Sequence, residues 1–164
     1  MAAGSAATLA AGAAVGLVNG VLVGYLRLRA FLTTLVTLII VRAVVDMLLL
    51  KYSVAIAAVF VDSDAWYFLG EGSVLGIPFS VVVAASVAII LHLVLTRTRL
   101  GWHVLAIGGS RRSAHNVGIP VRRVICSTYV VSGTLSALAG LLFASRLGGA
   151  GADTGIGLAI AALP

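Results

Sequence analysis

The sequence predicts an all-α fold: a polytopic bundle of transmembrane helices, with about four spans and a re-entrant or truncated segment at the C-terminal end. Three observations predict it. Hydrophobic residues make up 61% of the 164 and charged residues only 10%, whereas a soluble domain carries about 25% charged residues to cover its core. The mean hydropathy is +1.17. Apolar runs of span length recur along the chain, and the charges gather between them.

The first run, residues 6–26, contains no charge, and at about 1.5 Å per residue a helix of this length reaches roughly 30 Å, the thickness of the hydrocarbon layer. Residues 30–50 form a second run, 79–95 a third and 124–144 a fourth. The tail, residues 147–164, is rich in Gly and Ala and weakly hydrophobic, which suits a re-entrant or truncated segment better than a complete span.

The connections sort by charge. Arg27 and Arg29 lie between the first two runs; Arg97, Arg99, Arg111, Arg112, Arg122 and Arg123 lie between the last two, and neither connection holds an acid. The positive-inside rule makes both cytoplasmic, the second being a long loop over residues 96–123. The connection over residues 51–78 carries Asp62, Asp64 and Glu71 against Lys51 alone and is external. This arrangement puts the residues before the first span outside as well. The formal charge of +6 is therefore a topology signal, and nucleic acid is not an expected partner.

Within the spans, Gly12, Gly16, Gly20 and Gly24 recur every four residues, which bares one helix face and lets another backbone approach. Ser132, Ser136 and Gly140 repeat the device in the fourth run, so both faces are expected to pack against helices. Arg42 and Asp46 stand one turn apart in the second run. Each alone costs about 2.5 to 3.5 kcal/mol at the bilayer centre, so the two are expected to pair or to line a polar path. His92, near the inner end of the third run, reads as a structural histidine. One cysteine, Cys126, and scattered histidines make neither a disulfide nor a metal site, and no cofactor is expected. No paired carboxylates or Ser/His arrangement lies within a span, so the chain is not expected to be an enzyme.

The 96–123 loop has punctuation of its own. Gly101 should break the continuation of the third span, and Gly108 with Gly109 should form a flexible turn. Ser110 can then cap a short helix that carries Arg111, Arg112, Ala114 and His115 and is stopped by Gly118 and Pro120. Such a basic helix can rest on anionic headgroups or dock into a groove on a soluble partner.

From Thr96 to Arg146 the chain reads TRTRLGWHVLAIGGSRRSAHNVGIPVRRVICSTYVVSGTLSALAGLLFASR. This stretch resembles the permease subunits of bacterial ABC importers for ribose, xylose and galactose, which share a family with branched-chain amino acid permeases. Their pattern there is TRxGRxxxAIGGNxxAAxxSGIxVxRxxxxxYxxSGxLAxLAGxxxxxR. The likeness continues upstream in GLVNGVLVGYLRLRAFLTTLVTLIIVR and downstream in ADTGIGLAIAALP. The resemblance implies a monosaccharide permease of the bacterial inner membrane. Its partners would be an ABC ATPase subunit, a periplasmic sugar-binding protein and a second permease subunit, with a homodimer as the expected assembly.

It also implies that residues 108–117 form the coupling helix that sits in the ATPase. The external loop would meet the binding protein, and small hydroxyl residues among Thr33, Thr34, Thr37, Ser127, Thr128, Tyr129 and Ser132 are eligible to wall the path. The chain departs from the family pattern at Arg29, Ala43, Ser110 and Ala159, where Pro, Gly, Asn and Glu are usual. Family members are longer, so this chain corresponds to the middle of one. A non-transporting membrane scaffold, or a permease for branched-chain amino acids or nucleosides, is the alternative. A GxxxxGK[ST] phosphate loop is absent from the chain, so the energy would come from the ATPase.

Overall fold

The computed structural model describes residues 2–56, 72–74 and 77–146, so the tail with Ala159 and the acidic residues Asp62, Asp64 and Glu71 of the external loop lie outside it. The described residues form six helices: α1 (Ala2–Gly24), α2 (Ala30–Ile56), α3 (Phe79–Arg97), α4 (Arg99–Gly109), α5 (Arg111–Asn116) and α6 (Val121–Arg146). The exception to an all-α fold is a pair of two-residue strands, β1 (Ser73–Val74) and β2 (Ile77–Pro78), antiparallel with Val74 opposite Ile77. This pair leads directly into α3, whose first residue, Phe79, donates its N–H to the carbonyl of Gly72 at 2.8 Å.

Among the described residues, four helices are long and apolar enough to cross a membrane: Gly4–Gly24, Ala30–Leu48, Phe79–Arg97 and Val121–Arg146. Apart from Arg42, Asp46 and His92 they carry apolar residues around most of their circumference, and large hydrophobic side chains such as Phe31, Ile39, Ile89 and Ile90 stay exposed on the isolated chain. In water that surface would drive collapse; in a bilayer it is the surface that faces acyl chains or neighbouring helices. The protein is an integral membrane protein. The helices overrun the sequence-read spans at several ends, because α2 continues to Ile56 and α6 begins at Val121.

The principal packing is between α1 and α6, and the glycines of α1 permit it. A Cβ on Gly12 would lie 2.5 Å from the Cβ of Ala137, one on Gly20 would lie 2.9 Å from the Cα of Cys126, and one on Gly24 would lie 3.0 Å from the Arg122 carbonyl oxygen. At Gly16 the same atom would collide with the Tyr129 carbonyl. No side chain heavier than hydrogen fits at such separations, so the backbones pack by direct contact. The α6 face that meets α1 runs through Cys126, Tyr129, Gly133 and Ala137. Ser132, Ser136 and Gly140 do not belong to it: both serines are exposed, and open space surrounds Gly140. One residue is about 100° of helix rotation, which moves the serine row off the contact.

Helix α2 joins the pair more loosely, through a turn in which Arg27 takes a left-handed conformation at φ 56°. The Leu28 N–H returns to the Leu22 carbonyl at 3.3 Å, which caps the end of α1. Tying α2 back to α1 is a bond from the Thr37 hydroxyl to the Asn19 side-chain oxygen, 2.7 Å long.

Candidate functional site

The segment from Thr98 to Pro120 is built by its caps. Thr98 accepts from the Gly101 N–H at 3.3 Å and so starts a new helix, α4, at the residue after α3 ends. Gly101 therefore does not break the chain; it lies buried inside α4. A Cβ there would run into the backbone of Leu95, 2.5 Å from its Cα, so the missing side chain is what lets α4 fold back against α3. Gly108 and Gly109 likewise close the last turn of α4 and are not a loop. Intrinsic propensity alone makes Gly101 a break and Gly108 with Gly109 a turn; the cap at Thr98 and the close approach at Leu95 instead hold all three in a helix.

Ser110 supplies the next cap. Its side chain accepts from the Ser113 N–H at 3.3 Å and from the Ser113 hydroxyl at 3.0 Å, starting α5. The other end is a Schellman motif: the Gly118 N–H bonds the His115 carbonyl at 3.0 Å and the Ile119 N–H bonds the Ala114 carbonyl at 3.1 Å. That motif needs a left-handed residue, supplied by Gly118 at φ 84°. Pro120 then opens α6, its carbonyl accepting from Arg123 and Val124.

The short helix is thus fixed at both ends and held by one buried side chain, Ala114, while Arg111, Arg112 and His115 are exposed. Beneath it lies a cavity of about 380 Å³ between α4 and α6, lined by Val104, Ile107, Arg111, Val124 and Tyr129 among others. Val124 is itself buried. The arrangement is a rigid projection that bears cations and stands directly on α6, the helix that packs along α1.

The intramembrane residues are placed as follows. Arg42 and Asp46 are both exposed on α2, and among the described residues no ion pair joins them. A cation four residues before an acid is the weaker order for a pair on one helix face. Thr34, Ser127 and Thr128 spend their hydroxyls on carbonyls of their own helices, and Thr33 on that of Arg29 just before α2, at 2.8 to 3.1 Å. Their donors are thereby satisfied without a neighbour. His92 is exposed on α3, and its carbonyl accepts from Thr96 at 2.7 Å.

A groove of about 640 Å³ runs between α1 and α2, with aliphatic walls that include Val18, Leu32, Val36 and Ile40. Those walls suit an acyl chain or another helix and offer few partners to a sugar's hydroxyls. Among the described residues no group of three His, Cys, Asp or Glu could hold a metal. Sequence reasoning missed Asn19; the signal was a lone amide inside an apolar span, beside the glycine row.

These features meet in comparison with known proteins. The family described as branched-chain amino acid transport system / permease component matches residues 1–163. The chain belongs to that family. Among its relatives is the L-arabinose transport system permease protein AraH of Escherichia coli, 35% identical over 141 residues, which are 85% of this chain and 41% of the relative. The ribose import permease protein RbsC of Escherichia coli is 34% identical over 158 residues, 96% of this chain and 49% of the relative. The fructose import permease protein FruF of Bifidobacterium longum is 32% identical over 133 residues, 81% and 37%. The chain spans about half the length of these relatives or less. No solved structure matches it.

Proposed function

We propose that this chain is part of the membrane-spanning subunit of an ABC importer that carries a monosaccharide across the bacterial inner membrane. The relatives' names favour sugar cargo over amino acids. Energy comes from a separate ATPase subunit. In this reading α5, with the end of α4, is the coupling element. It lies in a groove of the ATPase and passes the opening and closing of that subunit to α6, and through the glycine contact to α1. The external connection meets a periplasmic sugar-binding protein, and a second permease subunit, as a homodimer, pairs with this one.

The observation that carries the proposal is the construction of α5, doubly capped, anchored by Ala114 and presenting Arg111, Arg112 and His115. A helix of six residues would not hold its shape alone; its caps make it a rigid lever. The test is co-purification of the ATPase with tagged wild-type chain and with the R111E/R112E double variant, in membranes that contain all the importer's components. Loss of the ATPase from the variant at unchanged insertion is the expected result. Equal recovery of the ATPase would overturn the assignment of α5.

A further inference from the structure

At the end of the bundle where α1 and α2 connect, a pocket of about 470 Å³ gathers Arg27, Arg111, Arg112, Arg122, His115 and Asn116. These come from three separate places in the sequence: the α1–α2 turn, α5 and the first turn of α6. Four exposed arginines line one cavity that has no carboxylate in its wall, and among the described residues none of their side chains is engaged in an ion pair or hydrogen bond. Such mutual repulsion is tolerated where an anion completes the site. The floor is apolar, made by Val23, Val121 and Ile125. Val23 is 1% exposed.

The position identifies the anion. Arg27 follows the candidate span Gly4–Gly24, and Arg122 stands at the start of the span Val121–Arg146. The pocket therefore lies at the level where two spans leave the hydrocarbon, with exposed arginines around the buried Val23 and the half-buried Val121 and Ile125. Planar guanidinium forks match the paired oxygens of a phosphate, and basic pockets between spans at this level take the headgroups of acidic lipids. A phosphate ester joined to acyl chains satisfies both the charge of the site and its place at the end of two spans, where its chains enter the hydrocarbon beside the half-buried Val121 and Ile125.

We propose that this pocket binds the phosphate of an anionic phospholipid such as phosphatidylglycerol and thereby fixes the α1–α2 turn to α5 and α6. The lipid so held would couple the membrane surface to the short basic helix. The site shares Arg111 and Arg112 with the coupling element, but its test contains no ATPase, so the two proposals fail separately.

The full chain is reconstituted in nanodiscs of phosphatidylcholine with 20% phosphatidylglycerol as the probe (about one lipid in five), and retained lipid is counted by native mass spectrometry. The wild-type chain is expected to keep phosphatidylglycerol selectively over phosphatidylcholine. The R27Q/R122Q double variant should keep about thirtyfold less, while R97Q/R99Q, outside the pocket, keeps the wild-type amount. A wild-type chain that shows no preference between the two lipids overturns the proposal, and this arm does not depend on any variant folding. So does displacement of phosphatidylglycerol by inorganic phosphate at equal concentration, which would make the ligand a free phosphate. Equal loss from both double variants would reduce the effect to general surface charge and overturn the pocket.

Discussion

The Thr37 hydroxyl donates to the side-chain oxygen of Asn19 across 2.7 Å and so joins two spans, α2 and α1. Asn19 lies between Gly16 and Gly20, directly before the latter, and the bond ties α2 to the α1–α6 pair. Because α2 otherwise touches α1 only lightly, the bond sets the position of α2.

Its strength can be measured by a double-mutant cycle with Asn19→Leu and Thr37→Val, read as the unfolding free energy of the chain in mixed micelles. A coupling of about 0.6 kcal/mol, with an upper bound near 1.7, is the expected value for an interhelical bond in this setting. Zero coupling would mean that α2 is positioned by other contacts.

Gly16 is the most exacting position in the glycine row. Replacement by Leu drives a side chain into the Tyr129 carbonyl and should cost about 1–3 kcal/mol or more, since backbone and not a flexible side chain stands in the way. Gly4→Leu meets open space and should cost nothing measurable. Thermal stability of the two detergent-purified variants checks the contrast; similar midpoints would refute the α1–α6 contact.

The rigidity of α5 depends on its caps. Gly118→Ala, at φ 84°, should destabilise the Schellman turn by about 1–2 kcal/mol, and Ser110→Ala should remove about 1 kcal/mol from the N-cap. Both variants should raise hydrogen exchange over residues 111–119 without altering α1. Unchanged exchange there would show that tertiary contact, not capping, holds the short helix.

Arg42 and Asp46 should behave independently. In a translocon insertion assay of α2, Arg42→Leu and Asp46→Leu should each favour insertion by about 3 kcal/mol and the double variant by the sum. A coupling above about 1 kcal/mol would reveal an ion pair that the exposed placement of both side chains does not provide.

Much of this protein was legible in its sequence, because a bilayer imposes a strong one-dimensional rule: a backbone in hydrocarbon must be helical, and the helix must be apolar for its whole length. The four spans follow from that, whereas the stop at Gly118 and the cap at Ser110 were legible because each is a local geometry fixed by one residue. The glycine row of α1 announced a close contact by the same logic. Helix α4 was hidden because Gly101, Gly108 and Gly109 are poor helix formers in isolation, and only the fold against Leu95 shows what Gly101 is for. Tertiary structure alone decided that the partner of the glycine row is Cys126–Gly133–Ala137 rather than the serine row, that Asn19 reaches Thr37, and that Arg27 shares a pocket with Arg111, Arg112 and Arg122. Periodicity says that a helix has a bare face or a charged end. Which face and which end come together depends on how whole helices rotate and slide against one another, and that is set by the sum of many small contacts distant in sequence.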